Sequence, residues 1–134
     1  MLDRLSDTLA VITGSSGRAS FDPADVTVPG AMFALAFDGN GQAAGCGAYR
    51  PLMDGVAEVK RMFAVPGSRG IGAALLAFLE ARAVADGYRE LWLETRLVNA
   101  RAVRFYEKHG YLRIPNFGKY AGRPEAVCLA KRLA

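Results

Sequence analysis

A single histidine and two cysteines are all that 134 residues offer toward imidazole chemistry or soft metal ligation. Metal catalysis or a Ser-His-Asp triad would rest on His109 alone, so neither is expected. Cys46 and Cys128 stand far apart in apolar surroundings without C-x-x-C spacing, which reads as two buried thiols instead of a disulfide or a metal site. No apolar run nears the ~20 residues that a membrane helix requires. The segment from Met1 to Asp7 mixes both charge signs and lacks the basic-then-apolar order of a secretory signal, so a cytoplasmic location is the default expectation. The 17 basic residues outnumber the 13 acidic ones, for a net charge of +4, yet they are scattered. Without a basic tract or an aromatic-interleaved stripe, no nucleic-acid partner is expected, and the charge suits a small polyanionic ligand.

What is present reads as one globular domain over residues 1–134, with 51% apolar and 22% charged residues. Leu2 to Ile12 has helical spacing, and residues 13–30 are rich in breakers and read as loop. Asp38 to Gly41 is a strong turn signal, so Ala31 to Phe37 and Gln42 to Arg50 are expected to form an antiparallel hairpin. A second turn at Pro51 to Gly55 leads to a strand from Val56 to Val65. Ile71, Ala74, Leu75, Phe78 and Leu79 mark one face of a helix running from Gly70 to Asp86, with Gly87 as its stop. Tyr88 to Thr95 alternates as a strand; Asn99 then caps a helix through His109, ended by Gly110. Tyr111 to Ile114 and Ala126 to Leu133 close the chain as strands. The order predicts an α/β layer with a mixed sheet, and the unit from Val56 to Thr95 a right-handed crossover.

The run from Pro66 to Ala73 lies between that strand and the first long helix, and carries Gly67, Gly70 and Gly72. Glycine amides can approach an anion closely, and the first N–H groups of a helix lack intrahelical partners. The run is not a Walker loop, since no Lys-Ser or Lys-Thr pair follows, and its gaps are not those of G-x-G-x-x-G. An anion site and a plain structural turn both remain open on these residues alone.

Two segments together carry a resemblance to a known family. Val59 to Val65 runs into Arg69-Gly70-Ile71-Gly72-Ala73, which is similar to the Q/R-x-x-G-x-G/A loop and helix of the GNAT acetyltransferases, and Asn99 to Tyr111 resembles their N-x-x-A-x-x-F-Y-x-x-x-G-F segment. The resemblance covers residues 31–134 and is most specific over 56–111. It implies a mixed, mostly antiparallel twisted sheet flanked by helices. It also implies acetyl-CoA as co-substrate and no metal. The pyrophosphate would lie on the amides of Gly67, Ser68, Arg69, Gly70, Ile71, Gly72 and Ala73. The pantetheine would run along Met62, Phe63 and Ala64, where the strand splays from its neighbour. Asn99 is expected to hydrogen-bond the cofactor while also capping its own helix. The sequence departs from the family pattern at Gly67, where Arg or Gln is usual. The strand that normally precedes the first helix is expected to be missing.

Amine attack on a thioester needs a neutral amine, a polarised carbonyl and a proton for the departing thiolate. Glu58, early in the strand in apolar company, is the first candidate base; the competing reading is a strand-end carboxylate paired with Lys60 or Arg61. Glu94, at the end of the next strand, is the second candidate, acting directly or through water. Tyr106 shares a helical stripe with Asn99 and Val103 and should point inward, where its phenol would serve as general acid, or simply as a core aromatic. Residues 115–124 form a loop suited to one wall of an acceptor pocket, and Lys119 and Arg123 would suit an acceptor carboxylate.

The reading that follows is direct acetyl transfer to a primary amine of a small molecule, by a base and a tyrosine acid. Protein or peptide N-acetylation and a non-catalytic CoA-binding regulatory domain are the alternatives. An absent first strand would leave an open sheet edge suited to pairing with a second copy of the chain.

Overall fold

The turn predicted at Asp38 organises the first hairpin. In the computed structural model, which describes residues 9–12, 29–67 and 70–133, Asp38 Oδ1 accepts from the amides of Asn40 at 2.8 Å and Gln42 at 3.0 Å. The carboxylate thus satisfies the turn's own donors. It joins β2 (Met32–Phe37) to β3 (Ala43–Met53), which in turn pairs antiparallel with β4 (Val56–Ala64). The strand β3 continues through Pro51, where a turn was expected. Its partner β2 ends opposite Tyr49, so the missing N–H of Pro51 falls past the end of that ladder and costs it no bond.

Before the hairpin, β1 (Leu9–Ile12) pairs antiparallel with β2. This corrects two expectations. Residues 9–12 are not the end of a helix, and the sheet does not lack a strand ahead of β2. Four consecutive apolar residues fit strand and buried helix alike by periodicity, and here the pairing partner decides. The rest of the expected first helix, residues 2–8, lies outside the described residues. Because β1 covers that side of β2, the argument for a second copy pairing on an open β2 edge falls away.

After β4 come α1 (Ile71–Ala85), β5 (Glu90–Arg96), α2 (Ala100–Lys108), β6 (Leu112–Ile114), a 3-10 turn (Gly118–Tyr120) and β7 (Ala126–Arg132). The sheet order is β1-β2-β3-β4-β5-β7-β6, antiparallel at each junction except the parallel β4–β5 pair. That exception follows from α1, which returns the chain in the same direction.

Alternation along the strands separates two faces. Ala57 and Val59 of β4, Leu91 and Leu93 of β5, and Val127 and Leu129 of β7 join the main core with α1 and α2. The helix α1 contributes Ile71, Leu75, Leu76, Leu79 and Ala83, each buried, and each large aliphatic among them contributes about 1.5–3 kcal/mol of transfer free energy. It can lie this close to β3 because Gly47 has no Cβ: one built there would be 3.0 Å from Leu79 Cδ1 and 2.7 Å from Met62 Sδ. The opposite face carries Glu58, Trp92 and Glu94, with Phe33 and Ala48 in a smaller apolar cluster.

Three part-buried polar contacts tie the helix to the rest of the chain. Tyr111 Oη donates to Glu80 Oε2 at 2.9 Å, and Lys131 Nζ lies 3.1 Å from Glu80 Oε1. The hydroxyl of Tyr49 donates to Asp86 at the end of α1. Both cysteines are free thiols; Cys128 is buried as expected, whereas Cys46 is only half-buried.

Candidate functional site

The strands β4 and β5 are paired only from Val56 to Glu58, although both continue further. Beyond Glu58 the two strands part. The divergence coincides with a bulge in β4, where Cys46 is opposite Phe63 and Ala48 opposite Lys60, so that Gly47 alone faces the intervening residues. Arg61, at φ 60°, alone among the described non-glycine residues has a left-handed backbone, and its carbonyl accepts from Cys46 Sγ at 3.3 Å. Bulges of this kind bend a strand and re-aim its side chains.

A cleft of about 660 Å³ opens where the strands part. Met62, Phe63 and Ala64 line its strand side; Gly67, Gly70, Gly72 and Ala73 line the turn and the start of α1. Gly70 is the N-cap at φ 75°, with no side chain capping the helix and no acidic residue in the first turn. The first amides of α1 therefore lack intrahelical acceptors at the positive end of the helix dipole. Ile71 differs from the other expected cofactor residues: its side chain is in the core, leaving only its amide for the turn. Ser68 and Arg69 lie outside the described residues. The far wall is α2, through Asn99, Ala102, Phe105 and Tyr106. Asn99 caps that helix, its side chain accepting from the amide of Ala102 at 3.1 Å. Shape and donor set fit an extended ligand with a phosphate end on α1 and an amide-bearing chain along β4.

A second cleft, of about 430 Å³, lies on the other side of Tyr106. Met62, Asn99, Ala102 and Tyr106 border both. Tyr106 is 8% exposed, and burial pushes its phenol up to about 12, so it holds its proton throughout the neutral range. Its ring stacks edge-on with Phe105 and Tyr111. No described residue hydrogen-bonds its hydroxyl.

Both expected carboxylates line this second cleft. Glu58 is 3% exposed, the one buried charged residue among those described. Arg50 Nε stands 3.6 Å from its Oε1, and Tyr120 Oη donates to its Oε2 at 3.0 Å. In place of the competing pairing with Lys60 or Arg61, its partners are Arg50 of β3 and Tyr120 of the loop after β6. Glu94 is half-buried, and desolvation, followed by the charge of Glu58, raises it above the usual carboxylate range against the opposing pull of Lys60, Arg96 and Lys119. Among the described residues no group of His, Cys, Asp and Glu side chains is arranged to hold a metal ion.

Tyr120 carries no motif and did not stand out in the sequence. Its place is set by the loop: Asn116 Nδ2 donates to the carbonyls of Arg123 at 2.9 Å and Ala126 at 3.3 Å, and Phe117 packs edge-on against both Trp92 and Tyr120. Lys119 also lines the cleft, while Arg123 is not among its lining residues.

The model of the acetyltransferase (GNAT) family matches residues 8–111. Over 97 residues the chain is 38% identical to an IAA acetyltransferase of Azospirillum brasilense, an alignment covering 70% of this chain and 63% of that protein's length. Among solved structures, a Klebsiella pneumoniae protein provisionally described as an acyl-CoA N-acyltransferase superposes with a TM-score of 0.80 at 25% identity, over 95% of this chain and 97% of the other. A GNAT family acetyltransferase from Elizabethkingia anophelis with acetyl-CoA bound gives a TM-score of 0.69 at 20% identity, over 95% and 99% of the two chains, a likeness of fold.

Proposed function

The chain belongs to the GNAT acetyltransferase family, and from that premise we propose that it transfers the acetyl group of acetyl-CoA directly to a primary amine of a small molecule. The observation that carries this reading is the meeting of the two clefts at Tyr106, one suited to the cofactor and the other lined by two carboxylates.

Acetyl-CoA supplies an activated acyl carbon and a thiolate leaving group. The amides at the start of α1 and the glycines of the turn hold its phosphates, and the unpaired edge of β4 at Met62 to Ala64 orients its amide-bearing arm. The pair of Glu58 and Glu94 attracts the acceptor as an ammonium and takes one of its protons, which passes on to solvent. The freed nitrogen lone pair forms the C–N bond to the acetyl carbon while the C–S bond breaks. Tyr106 gives its proton to the departing sulfur and regains one from the nitrogen, leaving an amide, a thiol and one proton released. With one substrate bound on each side of Tyr106, transfer needs neither a metal nor an acyl-enzyme.

A thiol-release assay with acetyl-CoA across a panel of primary amines tests the reading. Amine-dependent release supports it, and binding of acetyl-CoA without release by any amine would leave a CoA-binding domain in its place.

A further inference from the structure

The two carboxylates of the acceptor cleft are not equivalent, and the difference comes from a residue 62 positions away from one of them in the chain. Both oxygens of Glu58 are engaged, by Arg50 Nε at 3.6 Å and by Tyr120 Oη at 3.0 Å. Glu94 forms no ion pair or hydrogen bond of its side chain with a described residue. We propose that Tyr120 is a positioning residue, holding Glu58 as the fixed anchor for the acceptor's ammonium and leaving Glu94 to accept the proton. This division of labour rests on the acetyl-transfer reading above and assigns the base within it.

The physical argument starts from the donors. The phenol donates to one oxygen of Glu58 at 3.0 Å and the Arg50 guanidinium stands beside the other, so the two together fix its rotamer. Held this way, the carboxylate presents a fixed acceptor to a cation in the cleft. Its charge also acts on Glu94, the neighbour on β5 that is half-desolvated and raised by that charge. Without donors of its own, Glu94 is left as the proton acceptor of the cleft. The groups facing the pair are Arg50 from β3, Lys60 and Arg61 from β4, Arg96 from β5, Lys119 and Tyr120 from the loop, and Cys128 from β7. Burial and the charges of Glu58 and Glu94 hold Tyr120 itself well above the ordinary phenol range, so it stays a donor at any pH where the enzyme would work. The loop that carries it is locked by Asn116 and by the Trp92, Phe117 and Tyr120 rings, which makes the donor rigid and its distance to Glu58 reproducible.

The test has two arms. Carbon-detected NMR titration of the side-chain carboxyls needs neither acceptor nor turnover. Glu94 should titrate above the usual carboxylate range, and in Glu58→Gln its midpoint should move down. In steady-state kinetics with an accepted amine, Glu94→Gln should lower kcat by about 10²-fold with little change in KM. Glu58→Gln should chiefly raise the acceptor KM. Tyr120→Phe should raise the acceptor KM as Glu58→Gln does, while leaving acetyl-CoA affinity unchanged. The assignment is overturned if Glu94 titrates within the usual carboxylate range, if Tyr120→Phe leaves the acceptor KM in place, or if the kcat loss belongs to Glu58→Gln. Failure of every amine to react would sink the acetyl-transfer reading, and the titration would still decide whether the charge of Glu58 raises Glu94.

Discussion

Gly72, in the first turn of α1, faces the ring of Phe105 on α2 so closely that a Cβ built on the glycine would lie 3.4 Å from Phe105 Cζ. The start of one helix and the middle of the next thereby form the two walls of the cofactor cleft. Gly72→Glu puts a carboxylate and its chain into that gap. Near a helix N-terminus the charge itself is favourable, by about 0.3–1 kcal/mol, and α1 has no acidic residue there, so the variant should stay folded. The same carboxylate occupies the anion site and repels phosphate. Calorimetry should show acetyl-CoA binding lost with thermal stability kept, whereas parental affinity in a folded variant would move the phosphate site elsewhere.

Tyr106→Phe keeps the edge-on contacts with Phe105 and Tyr111 and removes a hydroxyl that no described residue holds. Stability and acetyl-CoA affinity should change little, and kcat should fall by about 10²-fold. In the parent, the phenol keeps its proton until pH approaches about 12, so turnover should show no alkaline limb from Tyr106 in the neutral and mildly basic range. Parental turnover in the phenylalanine variant would reduce Tyr106 to packing.

The acid side of the pH profile belongs to the carboxylates. Glu94 is raised first by desolvation and next by the charge of Glu58, so activity should climb with pH above the usual carboxylate range as Glu94 loses its proton. Removing the Glu58 charge takes away one raising influence. The acid limb of residual activity in Glu58→Gln should therefore sit at lower pH than in the parent, and an unmoved limb would separate the two groups electrostatically.

Much of this arrangement was legible in the sequence because its signals are local. The Asp38 to Gly41 turn, the glycine turn into α1 and the Asn99 cap each depend on residues within a few positions of one another, and each lies where expected. The strand at Leu9 to Ile12 was not legible, since an apolar run of four has no periodicity to read. Pro51 within β3 depends on where a neighbouring strand ends. The bulge at Arg61 is set by its β3 partners, with Gly45 close enough that a Cβ would lie 2.7 Å from the Phe63 carbonyl oxygen. Glu58 and Glu94 were each visible as candidates, but their sharing of one cleft follows from the parallel register that sets Glu58 beside Trp92. The hydrogen bond from Tyr120 joins segments 62 residues apart and has no local signature at all.

Packing offers a prediction independent of function. Leu79 is fully buried, and its Cδ1 lies against Gly47 of β3 with Met62 Sδ over the same glycine. Leu79→Ala should cost stability within the range of about 2–5 kcal/mol, measured by urea denaturation. A loss under about 1 kcal/mol would mean that α1 settles onto the sheet.

The most direct test of direct transfer at the meeting of the two clefts is mass spectrometry of both product and protein after incubation with acetyl-CoA and an accepted amine, in the parent and in Gly72→Glu. The account predicts N-acetylated amine from the parent, none from the variant, and an unmodified mass for the intact parent protein with acetyl-CoA alone. An acetylated protein that passes its group on to the amine when acetyl-CoA is removed, or undiminished product from Gly72→Glu, would contradict it.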